Sequence, residues 1–139
     1  MNHIIISDTQ NIGADNLRHL FLSVGWESGN YPNKLAKAIS HFSAVYSAWD
    51  EKRLVGLICS FDDGYLNAYI QYLLVDPKYQ RKGIGSKLMG SLLDRYRDLK
   101  NISLLSYNES IRFYEALGFE KDVEAFAMSC SRFELNPKT

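Results

Sequence analysis

Residues 73–89 read LLVDPKYQRKGIGSKLM, a run that passes from an apolar strand pattern into a helical one. The turn between the two patterns holds Gly83 and Gly85, and the QRK triplet at 80–82 precedes them without an acid. Glycine is costly in ordered backbone because it loses more conformational freedom on folding than any other residue. The first N–H groups of a helix lack partners and point outward, so a glycine-rich entry lets an anion reach them. We therefore expect this turn to bind a phosphate or a diphosphate.

The spacing of the two glycines separates this turn from two known phosphate loops. The P-loop requires G-x-x-x-x-G-K-[ST], whereas the glycines here are two positions apart. The dinucleotide fingerprint G-x-G-x-x-G would begin at Gly83 and end at Leu88, which is not a glycine. A tight turn with a solvated basic patch and no ligand is a third interpretation.

The composition of the chain limits the kinds of ligand that this turn could bind. The chain has 139 residues, of which 46% are hydrophobic and 23% charged, and this is typical of a single folded domain spanning 1–139. Sixteen basic residues balance sixteen acidic ones, which argues against nucleic acid as a partner and favours a small anion at the basic turn. The sequence shows no leader peptide and no apolar run near the ~18 residues of a membrane span. We expect a cytoplasmic protein with no membrane partner.

Cysteine and histidine spacing predicts no metal site. Cys59 and Cys130 lie far apart, and the three histidines fit no zinc-binding pattern around them. Both thiols are predicted to lie in the core of a protein from a reducing compartment.

Hydrophobic periodicity predicts ten elements in the order β-α-α-β-β-β-α-β-α-β, an α+β domain with a mixed, mostly antiparallel sheet flanked by helices. The predicted strands cover 3–7, 43–50, 53–62, 65–77, 101–105 (a short buried strand) and 125–135, and the predicted helices cover 15–26, 30–42, a segment from 85, and 108–119. Short turns join the three middle strands, which predicts an antiparallel meander.

The helix predicted over 108–119 has the clearest end signals in the chain. Asn108 is predicted to cap its start, and Gly118 to stop it in the left-handed conformation. Phe119 then occupies the position where a Schellman motif usually places an apolar contact.

These two segments resemble the GCN5-related N-acetyltransferase (GNAT) family. QRKGIG at 80–85 matches the pattern [QR]-x-x-G-x-[GA], with which this family binds the pyrophosphate of acetyl-coenzyme A. YNESIRFYEALGF at 107–119 resembles the family's later strand-to-helix unit, in which an asparagine precedes a tyrosine by six positions, as Asn108 precedes Tyr114. The two helices predicted before the meander also agree, so the resemblance covers most of the domain.

The resemblance implies an acetyl-CoA site without a metal. Backbone groups of Leu73 and Val75 would bind the pantetheine arm where their strand leaves its neighbour, and the turn would bind the diphosphate. Lys87 either reaches a phosphate or is a solvated helix residue. The implied cofactor-binding residues are Leu73, Leu74, Val75, Gln80, Arg81, Lys82, Gly83, Ile84, Gly85, Ser86, Asn108 and Tyr114.

The implied reaction is attack of a neutral primary amine on the thioester carbonyl, with CoA thiolate as the leaving group. A backbone N–H near Val75 would stabilise the oxyanion. Tyr114 would be the catalytic residue and would donate a hydrogen bond to the sulfur, because a phenol (pKa ~10) is a weaker acid than a thiol (pKa ~8.5). Alternatively, Tyr114 is a core aromatic that shares a helical face with Ile111 and Leu117. The general base stays open among Glu27, His41, Asp62 and Asp63, of which the last two are predicted turn residues.

The acceptor site is predicted in a flexible loop at 25–32, which carries Trp26, Glu27 and Tyr31, together with Tyr69 of the meander. Aromatic rings beside one acid suit a small primary amine. Two alternatives stay open: a non-catalytic acyl-CoA-binding or interaction module, and a protein N-acetyltransferase. Homodimers formed through the last strand or the sheet edge are common in the family, and the resemblance allows one here.

Overall fold

The computed structural model describes residues 3–131, within which one five-stranded sheet has the order β1-β2-β3-β4-β5. The strands are β1 (Ile4–Ser7), β2 (Ala44–Asp50), β3 (Arg53–Asp62), β4 (Asn67–Val75) and β5 (Asn101–Leu104). Neighbouring strands are antiparallel from β1 to β4, and β5 is parallel to β4. The predicted α+β class with a mixed, mostly antiparallel sheet is confirmed.

The helices agree with the predicted order; the first, second and fourth are shorter than predicted, and the third begins one residue before its predicted start. They are α1 (Ala14–Ser23), α2 (Pro32–His41), α3 (Ile84–Arg95) and α4 (Ile111–Ala116), with 3₁₀ helices at Glu27–Asn30, Pro77–Tyr79 and Asn108–Ser110. Gly25 follows the end of α1 and has φ +75°, the left-handed conformation in which a glycine commonly ends a helix. The loop predicted over 25–32 contains a 3₁₀ turn, because the Gly29 N–H donates to the Trp26 carbonyl at 3.1 Å. Among the helices of the described part, none is long and apolar enough to cross a membrane.

Helices cover both faces of the sheet. On one face α1 and α2 bury Leu17, Phe21 and Ile39 against the strands, and on the other α3 buries Leu88 and Met89. These positions recur with the helical period, and each buried side chain of this size stabilises the fold by about 1.5–3 kcal/mol.

Close packing of α3 on the sheet depends on Gly56 of β3. A Cβ at this position would lie 3.1 Å from both Ile84 Cγ2 and Leu88 Cδ1, so a larger residue would push the start of α3 away. The missing side chain therefore sets the position of the glycine-rich turn that precedes α3.

Three predictions about strands and burial in the later part of the chain are wrong. Residues 125–131 form no strand and are exposed, while 132–135 lie outside the described residues. Period-two alternation predicts an extended backbone, but it cannot supply the partner strand that a ladder requires. β5 is not buried, since exposed and half-buried residues alternate along it at the described edge of the sheet. Cys59 is buried as predicted, whereas Cys130 is exposed.

The predicted start of the last helix, at Asn108, is wrong, whereas its predicted stop, at Gly118, is correct. Asn108 does not cap α4: it begins the 3₁₀ helix, and Ser110 is the N-cap residue of α4. Gly118 has φ +97°, and its N–H donates to the Glu115 carbonyl at 3.0 Å. This is the inner hydrogen bond of a Schellman motif, so the predicted stop is confirmed.

Candidate functional site

A cleft opens where β4 and β5 separate. Their parallel pairing ends at Ile70 and Leu104, after which β4 continues alone to Val75. The register between β3 and β4 shifts at the same point, which leaves Gln71 as an extra residue in β4. Such a bulge bends its strand, so it favours the departure of β4 from β5.

The cleft has a volume of about 600 Å³ and brings together residues from distant parts of the sequence. Of the predicted site residues it includes Trp26, Glu27, Tyr69, Leu73 and Tyr114, but not Tyr31 or Asn108. Its lining in the described part of the chain comprises Gly25, Trp26, Glu27, Ser28, Tyr69, Ile70, Gln71, Tyr72, Leu73, Leu104, Leu105, Ser106, Tyr107, Ser110, Tyr114 and Ala127. Aromatic and aliphatic side chains dominate this set, and Glu27 is its carboxylate.

Tyr114 projects from α4 to the cleft and is half-buried. Burial raises the pKa of its phenol above the ordinary value, since the charged phenolate loses solvation there. The phenol is therefore protonated at neutral pH and can donate a hydrogen bond into the cleft.

The glycine-rich turn at the end of β4 has two residues in the left-handed region. Gly83, the N-cap residue of α3, has φ +81°, and Arg81 has φ +64°. The first hydrogen bond within α3 runs from the Lys87 N–H to the Gly83 carbonyl at 3.0 Å, so the N–H groups of 84–86 precede the helical ladder. A concave turn of this kind and the positive end of a helix dipole both suit an anion. The turn is therefore suited to a phosphate group.

The residues between β4 and the turn differ in their orientation. Leu74 is buried in the core beneath α1 and α2, whereas Leu73 lines the cleft. The carbonyl of Val75 accepts a hydrogen bond from Gln80 Nε2 at 2.9 Å. The resemblance implies that the Val75 backbone binds the pantetheine arm, whereas in this structure its carbonyl already accepts from the Gln80 side chain.

Glu27 is the one of the four open general-base candidates that lines the cleft. Asp62 accepts a hydrogen bond at 2.6 Å from the hydroxyl of Tyr96, the residue that follows α3, and His41 lies exposed at the end of α2. Three backbone N–H groups, of residues 65–67, donate to Asp63 and hold the pKa of its carboxyl well below its usual range. Asp63 is therefore the turn residue that the sequence predicts.

Sequence reasoning missed two aromatic residues at this site. Tyr72 lines the cleft, with its ring 5.0 Å from that of Phe21 and its hydroxyl 3.4 Å from Ser28 Oγ. Phe113 lies against Gly85 and joins α4 to the start of α3. No motif in the sequence indicates a role for either residue, because an aromatic residue in a strand or a helix is usually part of the core. Among residues 3–131, no group of three or more His, Cys, Asp or Glu side chains is arranged to hold a metal ion.

Comparisons with known proteins agree with this geometry. The model of the Acetyltransferase (GNAT) family matches residues 13–119. "Histone acetyltransferase TAP1" of Glycine max is 33% identical over 137 residues, which cover 89% of this chain and 59% of that protein, so this chain spans less than two thirds of its length. "Uncharacterized N-acetyltransferase ycf52" of Porphyra purpurea is 33% identical over 129 residues, or 88% of this chain and 73% of that one. A solved GNAT-family acetyltransferase of Streptococcus pneumoniae TIGR4 has a TM-score of 0.80 at 31% identity, covering 95% of this chain and all of that one.

Proposed function

This chain belongs to the Acetyltransferase (GNAT) family, and on that premise we propose that it transfers the acetyl group of acetyl-CoA to a primary amine of a small molecule. The family uses acetyl-CoA as acetyl donor and acts on amine acceptors. In the transfer the amine nitrogen bonds to the acetyl carbonyl carbon, and the carbon–sulfur bond breaks. The amine loses one proton, and the sulfur leaves as the thiol or thiolate of CoA.

The turn that precedes α3 supports binding of the donor's diphosphate. Gly83 and Arg81 curve the backbone so that the N–H groups of 84–86 face one region, and Lys82 and Lys87 add positive charge nearby. The position that a side chain at Gly83 would enter is open among the described residues, so a diphosphate can approach the amides.

The observation that carries the proposal is that Tyr114 and Glu27 line the same cleft, which lies between β4 and β5. The protonated Tyr114 would donate a hydrogen bond to the leaving sulfur and stabilise its developing charge. Glu27 would accept hydrogen bonds from the incoming ammonium, or from a water that removes its proton. The edge of β4, which β5 no longer covers, would supply the oxyanion donor.

The cleft lining favours a small amine that carries an apolar or aromatic group. Trp26, Tyr69 and Tyr72 line the cleft beside the carboxylate of Glu27. Rings bind the apolar body of such a substrate and favour its cationic end.

A thiol-release assay with acetyl-CoA and a panel of amines tests this function. We expect CoA thiol to appear only when an amine is present, with aromatic and alkyl amines preferred over amino acids that carry a free carboxylate. Calorimetry with CoA on the same preparation gives binding independently of turnover. CoA binding with no thiol release for any amine would replace the proposal with the non-catalytic binding module.

Transfer to an amine of a protein is a second candidate. The soybean relative is named a histone acetyltransferase, and this chain is 33% identical to it. At the rim of the cleft Leu105 is 65% exposed and Tyr107 is 72% exposed, which leaves apolar surface that an extended peptide could contact. Including a lysine-rich peptide in the panel distinguishes the candidates, because a protein acetyltransferase would prefer it to every free amine.

A further inference from the structure

The turn of the proposed diphosphate site contains a backbone conformation that is unfavourable for the residue that adopts it. Arg81 has φ +64°, a region that residues with a Cβ adopt rarely. Such a conformation persists when the surrounding structure leaves the chain no better alternative, and it is found mostly at functional sites. Some contact outside the turn is therefore expected to restrain it.

Asp76 is the residue at which the turn leaves β4, and four hydrogen bonds fix it. Its carboxylate accepts from Arg53 Nη2 at 3.2 Å and from the Lys78 N–H at 3.0 Å. Its own N–H donates to the Val55 carbonyl at 2.9 Å, and its carbonyl accepts from the Tyr79 N–H at 2.8 Å. Asp76 is 2% exposed, so water does not compete for these bonds.

Arg53 connects this aspartate to the rest of the fold. It is the first residue of β3, and its Nη2 also lies 2.5 Å from His19 Nε2 on α1. The guanidinium therefore links α1 and β3 to the start of the turn. Only Asp76 of this pair is buried, since the Arg53 side chain is 41% exposed, and desolvation of the aspartate offsets part of the attraction. The hydrogen bond between Arg53 and Asp76 has a fixed direction, so the pair is better suited to orienting the start of the turn than to stabilising the fold.

We propose that Arg53 and Asp76 are positioning residues for the donor site: through the 3₁₀ helix Pro77–Tyr79 they hold the turn at 80–86 in the conformation that binds a diphosphate. This rests on the proposed function for the identity of the ligand. Neither side chain lines the cleft, so their removal weakens donor binding and leaves the transfer step unchanged.

Two acetyl donors separate this role from a general effect on folding. S-acetylpantetheine carries the thioester and the pantetheine arm but no diphosphate, whereas acetyl-CoA carries both. In Arg53→Met we expect the KM for acetyl-CoA and the Kd for CoA to rise about tenfold, since a charged hydrogen bond is lost. The kcat with acetyl-CoA and the kcat/KM with S-acetylpantetheine should stay at the wild-type values.

Three further variants complete the experiment. Arg53→Lys keeps the charge and should recover part of the CoA affinity. Asp76→Asn keeps an oxygen for the Lys78 N–H and loses the charge, so it should repeat the selective loss if Arg53→Met fails to fold. Arg97→Met is the matched control, because it removes an exposed ion pair with Asp94 (3.5 Å) on α3.

Each outcome decides the proposal. Equal losses with both donors, or an unchanged Kd for CoA in a folded variant at Arg53 or Asp76, overturn it. A wild-type chain that binds no CoA overturns it together with the donor site. A chain that binds CoA with the expected differences but acetylates no amine contradicts the proposed function alone.

Discussion

The ring of Phe119 meets the ring of Tyr114 edge to face, with centroids 5.9 Å apart, and the Phe119 N–H donates to the Tyr114 carbonyl at 3.1 Å. The two residues are thus joined through both side chain and backbone across the stop of α4. This is the outer hydrogen bond of the Schellman motif together with its apolar contact. A motif that ends a helix therefore also fixes the residue that carries the proposed catalytic hydroxyl.

Replacing Tyr114 with phenylalanine removes that hydroxyl and keeps the ring contacts. We expect kcat to fall at least about tenfold, because a hydrogen bond to the charge that develops in the transition state contributes at least this much in many enzymes. The Kd for CoA should stay unchanged in calorimetry. Burial raises the pKa of the Tyr114 phenol above its ordinary value, so the phenol stays protonated over about pH 6–9. The loss of kcat in Tyr114→Phe should therefore be the same at every pH in this range. Wild-type turnover in this variant would show that the hydroxyl has no part in the reaction.

Gly118→Ala tests whether the helix stop orients Tyr114. At φ +97° a Cβ is strained, and we expect the free energy of unfolding to fall by about 1–2 kcal/mol in urea titrations. The kcat should fall as well, with little change in CoA affinity. Gly90→Ala is the control: Gly90 lies within α3 with open space around it, so alanine should stabilise the protein by about 0.5–1 kcal/mol. A stable, fully active Gly118→Ala protein would contradict the coupling.

The sequence predicted those features that depend on a few neighbouring residues. The left-handed conformation of Gly118 could be predicted because glycine is the residue that adopts it freely, and hydrophobic periodicity located the helix that is α3. The contact between Arg53 and Asp76 joins residues 23 positions apart, and nothing local indicates it. The strand predicted at 125–135 failed for the same reason, since pairing requires a partner that alternation does not specify.

Arg81 offers a test that separates backbone conformation from side-chain charge. Arg81→Ala and Arg81→Gly both remove the guanidinium, so both should raise the KM for acetyl-CoA only a few-fold, as expected for an exposed charge contact. They should differ in stability, because glycine relieves the strain at φ +64° and alanine retains it. We expect the free energy of unfolding of Arg81→Gly, measured by urea titration, to exceed that of Arg81→Ala by about 1 kcal/mol. Equal stabilities would indicate that the left-handed conformation is not strained.

Gly85 and Phe113 form a contact between the start of α3, where the donor's diphosphate is proposed to bind, and α4, which carries Tyr114. A Cβ at Gly85 would lie 3.3 Å from Phe113 Cζ, which is tight for a ring held by α4. Gly85→Ala should therefore displace Phe113 and, through its edge-to-face contact with Tyr114 (centroids 5.2 Å apart), lower both CoA affinity and kcat. The double variant with Phe113→Leu should recover much of the loss because leucine is smaller.

Gly13→Ala is the control for this pair, since its φ is −64° and no neighbour crowds the position. It should leave CoA affinity and kcat unchanged. If the Gly85→Ala loss persists in full beside Phe113→Leu, the glycine is required by the ligand itself and not by the ring.

Glu27 provides the test of the acceptor side. Its carboxylate lines the cleft, and the Tyr31 hydroxyl lies 3.5 Å from its Oε1. Glu27→Gln keeps the shape and removes the charge, so we expect the KM for the amine to rise about tenfold while the KM for acetyl-CoA stays constant. Glu109→Gln, at an exposed position outside the cleft lining, is the matched control and should change neither constant. An unchanged KM for every amine in Glu27→Gln would show that the ammonium binds elsewhere, and it would exclude this carboxylate as the proton acceptor if kcat were also unchanged.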